Sequence, residues 1–214
     1  RGHSIKIGED PQLDADRVMA CLADRQLGEY FIVDANGGLS VETALRFLRL
    51  LPSHADIVLE APCATWREHM SLRKRTSIPM VWDELATSDA AIAQLISDDG
   101  AEGVGLKISK NGGLTPCRRQ RDMCIAAGYS LSVQDTVGSD IAFAAIAHLG
   151  QTIPAHLLRC ILDTRDMVSI TTADATHKGG FDRRDGWVTA PSSPGLGIDP
   201  RMDVLGEPVM SFSL

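Results

Sequence analysis

Phe31-Ile32-Val33-Asp34 is a short apolar run that stops on a carboxylate, and the same design recurs along the chain. Ile57-Val58-Leu59-Glu60 and Met80-Val81-Trp82-Asp83 repeat it with acids, while Ser4-Ile5-Lys6 and Val104-Gly105-Leu106-Lys107 end on lysines. The charged positions 6, 34, 60, 83 and 107 lie 28, 26, 23 and 24 residues apart. One strand, one helix and two loops take roughly 25 to 30 residues, so each interval has the length of a βα unit. Charged groups at the C-terminal ends of successive parallel strands are where a βα barrel builds its reactive centre. The fold class predicted is α/β.

Outward from these runs, short strands alternate with amphipathic helices. Strands are predicted at Ser4–Ile7, Tyr30–Val33, Asp56–Leu59, Met80–Trp82, Gly103–Lys107, Leu131–Val133 and Leu158–Leu162. Helices are predicted at Leu13–Arg25, Ser40–Leu51, Thr65–Arg75, Ser88–Ser97, Thr115–Ala127 and Ser139–His148. Ser40 and Ser88 stand where a hydroxyl can satisfy free N–H groups, and Gly28, Gly100 and Gly128 where a left-handed residue ends a helix. Such repetition means a parallel sheet. A closed barrel has eight strands and seven are predicted here, so an incomplete barrel lacking one βα unit is expected. The chain opens at Arg1, almost inside its first strand and without a methionine, so preceding sequence is expected as well. Residues 1–169 are assigned to the barrel. From Ile170 onward Gly179-Gly180, Asp185-Gly186 and Pro191-Ser192-Ser193-Pro194-Gly195 punctuate a turn-rich tail, with a hairpin expected at Trp187–Thr189. The tail, residues 170–214, is expected to need another surface to pack on.

A hydrophobic content of 44% over 214 residues supports a buried core. Acids outnumber Lys plus Arg by 28 to 21 without a basic stripe, which argues against nucleic-acid and anionic-membrane partners. There is no run of 18 apolar residues and no apolar signal region. Cys21, Cys63, Cys117, Cys124 and Cys160 show no CxxC spacing and are expected to be free thiols in a reducing cytoplasm. Cys117 and Cys124 are expected on one buried helix face, and Cys63 is expected to be the only thiol close to a candidate site residue.

Asp34, Glu60 and Asp83 would project together if they end three consecutive strands. Taken singly, each could be a solvated strand-end acid. Together in one pocket they repel, and a divalent cation resolves that cost; all-oxygen ligation suits Mg²⁺ better than zinc. Lys6 and Lys107 flank the acids, and a lysine beside a cation in a pocket has its ammonium form disfavoured, so it can act as a base. The alternative for either is a surface cation with a packed stem. Asp135 ends the next strand and could bind substrate, hold a lysine, or serve the loop alone. Asn36 could contact substrate or a ligand carboxylate. Glu84 should face away from Asp83 by strand alternation. His3 could reach the pocket mouth, His148 should cap a helix end, and His54, His69 and His156 read as solvent or loop residues. Lys110–Thr115 matches neither GxxxxGK[ST] nor GxGxxG, so nucleotide binding is rejected in favour of a tight turn.

Ser4-Ile-Lys6-Ile-Gly8, Val33-Asp-Ala-Asn36, Leu59-Glu-Ala-Pro62, Trp82-Asp-Glu84 and Leu106-Lys-Ile-Ser-Lys-Asn-Gly-Gly-Leu-Thr115 occur in the order and spacing of one family. The sequence resembles the mandelate racemase and muconate-lactonizing enzyme group of the enolase superfamily. The resemblance implies a (β/α)7β barrel, a modified TIM barrel, covered by an N-terminal capping domain; that domain and the first barrel strand are expected to be missing here. It also implies Mg²⁺ on Asp34, Glu60 and Asp83, with Lys6 as the second lysine of a Lys-x-Lys element and Lys107 on the opposite face. Lysine bases with Mg²⁺ are the general pattern of enolase-superfamily sites. Ser4 stands at the first lysine position, a departure, and is placed with Asn36 at the substrate. Asp135 is carried as a third catalytic candidate. Glu60-Ala-Pro-Cys-Ala-Thr65, Gln134-Asp-Thr-Val-Gly-Ser-Asp-Ile141 and Pro200-Arg-Met-Asp-Val-Leu-Gly206 are similar to dehydratases of cis-3-hydroxy-L-proline. His3-Ser-Ile-Lys-Ile-Gly8 is similar to epimerases of proline betaine derivatives.

The expected activity is Mg²⁺-dependent removal of the proton alpha to a carboxylate, leading to dehydration of a hydroxyproline-like acid or to epimerisation. A small carboxylate substrate and a homo-oligomer are expected. The competing class is a catalytically silent binding homologue, suggested by Ser4 and the incomplete barrel. A Schiff-base aldolase barrel would not need three metal-spaced acids.

Overall fold

Ile5, Phe31, Val33, Ile57 and Leu59 alternate along their strands with residues of the opposite face, and period-2 alternation sends them to one side of a sheet. Their partners are Ala15, Val18, Ala44 and Phe47, all fully buried on helices. The computed structural model describes residues 2–136, 139–175, 181 and 184–212. Seven strands pair in sequence order, every neighbour parallel: β1 (Gly2–Lys6), β2 (Tyr30–Asp34), β3 (Ile57–Glu60), β4 (Met80–Trp82), β5 (Gly103–Lys107), β6 (Ser130–Gln134) and β7 (Leu158–Ile161). Six helices occupy the crossovers: α1 (Pro11–Ala23), α2 (Val41–Leu50), α3 (Trp66–Arg73), α4 (Asp89–Ser97), α5 (Leu114–Ala126) and α6 (Asp140–Gly150). The expected α/β barrel-type sheet is therefore present with its seven strands.

The sheet curls. Tyr30 on β2 donates its hydroxyl to the Arg159 carbonyl on β7 at 2.6 Å, across 129 positions of sequence. Register then lines up the strand ends, with Lys6 opposite Asp34 and Asp34 opposite Glu60. A second packed region joins Trp82, Val104, Leu106 and Leu131 to Ile92, Leu95, Cys117 and Cys124 on α4 and α5. Cys117 and Cys124 do share a buried face, and all five cysteines are free thiols.

Local signals explain most helix ends. Ser40 caps α2 through the Thr43 N–H at 3.1 Å, and Ser88 caps α4 through that of Ala91 at 3.1 Å. Thr65 and Glu68 form a reciprocal capping box on α3. Gly28 and Gly128 take left-handed backbone at φ +83° and +77°, but after α4 that conformation belongs to Asp99, at +49°, not to Gly100. Gly100 is needed for space instead, since a Cβ there would lie 2.6 Å from Leu95 Cδ1.

The tail folds back on the barrel's own helix α6. Strands β8 (Ala173–Ala175) and β9 (Ile198–Pro200) pair antiparallel, and a short helix α7 (Met202–Leu205) follows. The Asp140 carboxylate accepts from the Thr172 N–H at 2.7 Å, and the Arg165 guanidinium stacks 3.9 Å from the Phe143 ring. His148 lies in the last turn of α6, yet its Nε2 meets the Leu196 carbonyl at 3.2 Å, so it ties down the tail in place of the expected cap. The hairpin expected at Trp187–Thr189 closes earlier, as a bridge between Arg184 and Trp187 around Asp185-Gly186, both with positive φ. Gly179-Gly180, also expected as a turn, lies outside the described residues. No helix among the described residues is long and apolar enough to cross a membrane.

Tyr30→Phe removes the one β2–β7 bond named above. A net hydrogen bond is worth about 1 kcal/mol, so urea unfolding should register a loss of about that size.

Candidate active site

Each charged run delivers its last side chain to the same end of the sheet, because parallel strands in register finish together. Asp34, Glu60 and Asp83 are all buried, at 4%, 6% and 4% exposure, an unusual state for carboxylates without compensation. The Lys6 ammonium pairs with Asp34 Oδ2, and the Lys107 ammonium pairs with Asp83 Oδ2. Glu60 lies between them. Burial, reinforced by the Asp34 and Asp83 charges and opposed by both lysines, pushes its carboxyl up to about 7. Asp83 Oδ1 is buried and has no hydrogen-bond partner among the described residues.

The lysines differ in setting. Lys6 has a side chain 63% exposed on the edge strand, whereas that of Lys107 is 11% exposed. Burial alone disfavours the Lys107 ammonium, but Asp83, Glu84 and Glu60 outweigh it and hold its pKa above the ordinary lysine value. Asp83, which is both paired with it and nearest in charge, leads that effect. Its backbone is pinned by Asn111, whose Oδ1 accepts the Lys107 N–H at 3.1 Å while Nδ2 donates to the Ala86 carbonyl and to Gln120 Oε1, both at 2.7 Å. The glycine-rich stretch after Lys107 is thus the expected tight turn, with Gly112 and Gly113 at φ +92° and +97°.

Asn36 joins the group. Its backbone N–H donates to Asp34 Oδ1 at 2.8 Å, and its side chain bridges Lys6 and Glu84. Glu84 is therefore not turned away, as alternation suggested; β4 ends at Trp82, and beyond a strand end the period of two no longer applies. Burial resists charge on Glu84, yet the bonds from Asn36 and its own backbone, with Lys107 and Lys110 nearby, hold its carboxyl below the usual range. Ser4 is exposed and shares the Lys6 face of β1. Asp135, just past β6, accepts from the Ser109 hydroxyl and from the Thr136 N–H at 2.8 Å, and no lysine is bonded to it among the described residues. His3 pairs with Glu29 at 3.2 Å and stacks on Phe31, on the opposite face of β1 from Lys6, so it does not serve the mouth.

Two sequence expectations are corrected here, His69 as a solvent or loop residue and Cys63 as the one thiol close to the site. His69 is buried, at 2% exposure, and packs with Trp66 around Trp82, immediately behind Asp83; ring centroids stand 4.4 and 4.5 Å from that of Trp82. The His69 Nδ1 donates to the Thr65 carbonyl at 3.1 Å. Its place on the inner side of an eight-residue helix would have needed the helix face to be assigned. Cys160 on β7 is the second thiol near the site: burial pushes its pKa up and the Glu60 charge adds to that, so Cys63 is not alone.

The donor chemistry suits magnesium. Asp34, Glu60 and Asp83 are hard oxygen donors, Asp83 Oδ1 is free to accept, and Gly105 keeps the space beneath them open. A Cβ at Gly105 would come 2.8 Å from Gln134 Nε2 and 3.5 Å from Glu60 Oε1. Among the described residues no three acids already converge on a common point, and the two lysines neutralise Asp34 and Asp83 directly.

A curled parallel sheet with lysine–acid pairs around a buried glutamate has the form of a βα-barrel domain with a charged mouth. Residues 1–204 match the family described as enolase C-terminal domain-like, and the chain belongs to that family. It is 36% identical over 209 residues to cis-3-hydroxy-L-proline dehydratase of Roseibium aggregatum, covering 98% of this chain and 56% of the relative. A solved mandelate racemase/muconate lactonizing enzyme-type protein of Aspergillus oryzae superposes with TM-score 0.94 at 63% identity, over 99% of this chain and 57% of that one. Another, from Roseovarius nubinhibens in complex with magnesium, gives TM-score 0.95 at 54% identity, over 100% and 59%. The chain thus spans little more than half the length of these relatives.

Burial holds His69 below the ordinary histidine range, against Thr65, Glu68 and Glu84. The unfolded chain takes up this proton near its ordinary pKa of about 6.5 and the folded protein does not, so His69 costs stability as pH falls below that value. Unfolding of the wild type and of His69→Gln at pH 7.5 and 5.5 should show a smaller acid loss in the variant.

Proposed function

We propose that this protein uses Mg²⁺, held by Asp34, Glu60 and Asp83, to remove the proton alpha to a carboxylate, and that its reaction is dehydration of a hydroxyproline-like acid. The observation that carries this reading is the pair of lysine–aspartate contacts bracketing Glu60, with one Asp83 oxygen left over. The dehydratase similarity supports the substrate class.

Bound magnesium supplies a Lewis acid that polarises the substrate carboxylate and so acidifies the neighbouring C–H bond. The chain's own residues do the rest. With Asp34 and Asp83 engaged by a cation, Lys6 and Lys107 would be without their strongest anionic partners and available for proton transfer. One amine takes the alpha proton and its C–H electrons form the new double bond. The β-carbon–oxygen bond breaks, and the hydroxyl leaves as water with a proton from the opposite ammonium. General acid–base help of this type is worth about 10²- to 10⁴-fold in rate. Ser4 and Asn36 are assigned to the substrate side of the mouth, and Asp135 to the loop that frames it. Apolar side chains left open in the tail, Trp187 and Met202 among them, are assigned to contact with a capping domain.

The presence of a lysine on each side of the acid row favours one second reading, epimerisation, in which the opposite ammonium returns a proton to the alpha carbon. The full-length protein incubated with Mg²⁺ and cis-3-hydroxy-L-proline in D₂O and followed by NMR separates the two. Water loss without inversion supports dehydration, whereas alpha deuterium with inversion moves the assignment to epimerisation. Neither water loss nor exchange with any proline-type acid overturns both. Lys6→Ala and Lys107→Ala are each expected to lower turnover by about 10²-fold or more. Asp83→Asn should weaken Mg²⁺ binding in calorimetry.

A further inference from the structure

Glu84 ends a three-membered chain of hydrogen bonds. Its Oε1 accepts from Asn36 Nδ2 at 3.0 Å, and Asn36 Oδ1 accepts from Lys6 Nζ at 2.8 Å. The backbone of Asn36 is anchored separately, by its N–H on Asp34 Oδ1 and by a left-handed conformation at φ +46°. Only the direction of its amide is left to be decided. A primary amide carries donors at one end and an acceptor at the other, while a carboxylate only accepts. Facing Glu84, Asn36 must present its NH₂ there and therefore its oxygen to Lys6. With the amide reversed, N–H groups would point at an ammonium that has nothing to accept with.

We propose that Glu84 is a positioning residue for Lys6, acting through the orientation of the Asn36 amide; this rests on the lysine chemistry proposed above and extends it. Lys6 needs such a guide more than Lys107 does, because its side chain is 63% exposed against 11% and packing restrains it little. Its other acceptor, Asp34, is the residue assigned to the cation, which leaves Asn36 as its hold. Glu84 is itself well seated, half-buried in a pocket with Cys63, His69 and Trp82, and its Oε2 is buried and unbonded. Partial burial among these side chains narrows where the Glu84 carboxylate can point, and as an acceptor only it can take nothing but the NH₂ end of Asn36.

Alpha-deuterium incorporation into each enantiomer of a proline-type acid, measured with the full-length Mg²⁺-loaded protein in D₂O, reports the two lysines separately. The Lys6 face is the one silenced by Lys6→Ala. Glu84→Ala is expected to slow exchange on that face by about tenfold, the scale of one lost hydrogen bond to a charged group, and to change the Lys107 face far less. Glu84→Gln can still turn an oxygen to Asn36 and should recover most of the rate, although its charge is gone. In an Asn36→Ala background, Glu84→Ala should add nothing further. Reductive methylation of the amines, read by mass spectrometry, should speed up more at Lys6 than at Lys107 in Glu84→Ala. Equal losses on both faces, a Gln variant as slow as Ala, or full additivity with Asn36→Ala overturn the inference. A wild type with neither exchange nor water loss removes the proposed function instead, and the methylation comparison then decides the role of Glu84.

Discussion

Three carboxylates at neighbouring strand ends, each nearly closed to water, can coexist only if positive charge is brought to them. That demand organises the whole mouth of this domain. Lys6 and Lys107 answer it from the two sides, and Glu60 between them answers it by holding its proton up to about pH 7. A hard dication would satisfy the same demand and release both amines, so neutralisation and reactivity draw on one set of atoms.

The rest of the fold keeps that set in register. Apolar residues on the outer face of the sheet pack against six helices, and the inner face is given over to small and polar residues such as Gly105, Ser132 and Gln134. The Tyr30 bond to β7 shows the curl that brings distant strands round the same interior. Behind Asp83, Trp82 is held by Trp66, His69 and a 3.0 Å bond to the Gly100 carbonyl, so the acid projects from a rigid base. His69 is buried against Trp82 under a partly buried Trp66, and that packing is why it does not behave as a surface residue.

Much of this was legible from the chain. Strand positions came through because each run is short, β-branched and followed by a charge, and the seven strands lie within two residues of expectation at every end. Cap residues came through because a hydroxyl before a helix has one local use. Misreadings share a cause: each required knowing which neighbour lay across a loop. Glu84 was assigned by alternation beyond the point where the strand stopped, and Gly100 by its type, whereas Asp99 took the left-handed turn. The pull of surrounding acids on Lys107 and the closeness of Cys160 to Glu60 depend on contacts between strands far apart in sequence.

The amino-acid order by itself determined a parallel α/β sheet with acids and lysines at one end, because hydrophobic period and unit length are local properties. It also determined the residue types from which a hard-cation site can be built. Only the tertiary structure decided which acid each lysine meets, that Asn36 stands between Lys6 and Glu84, and that the tail rests on α6. Those facts follow from register and curl, which arise when all strands pack together and are written in no single segment.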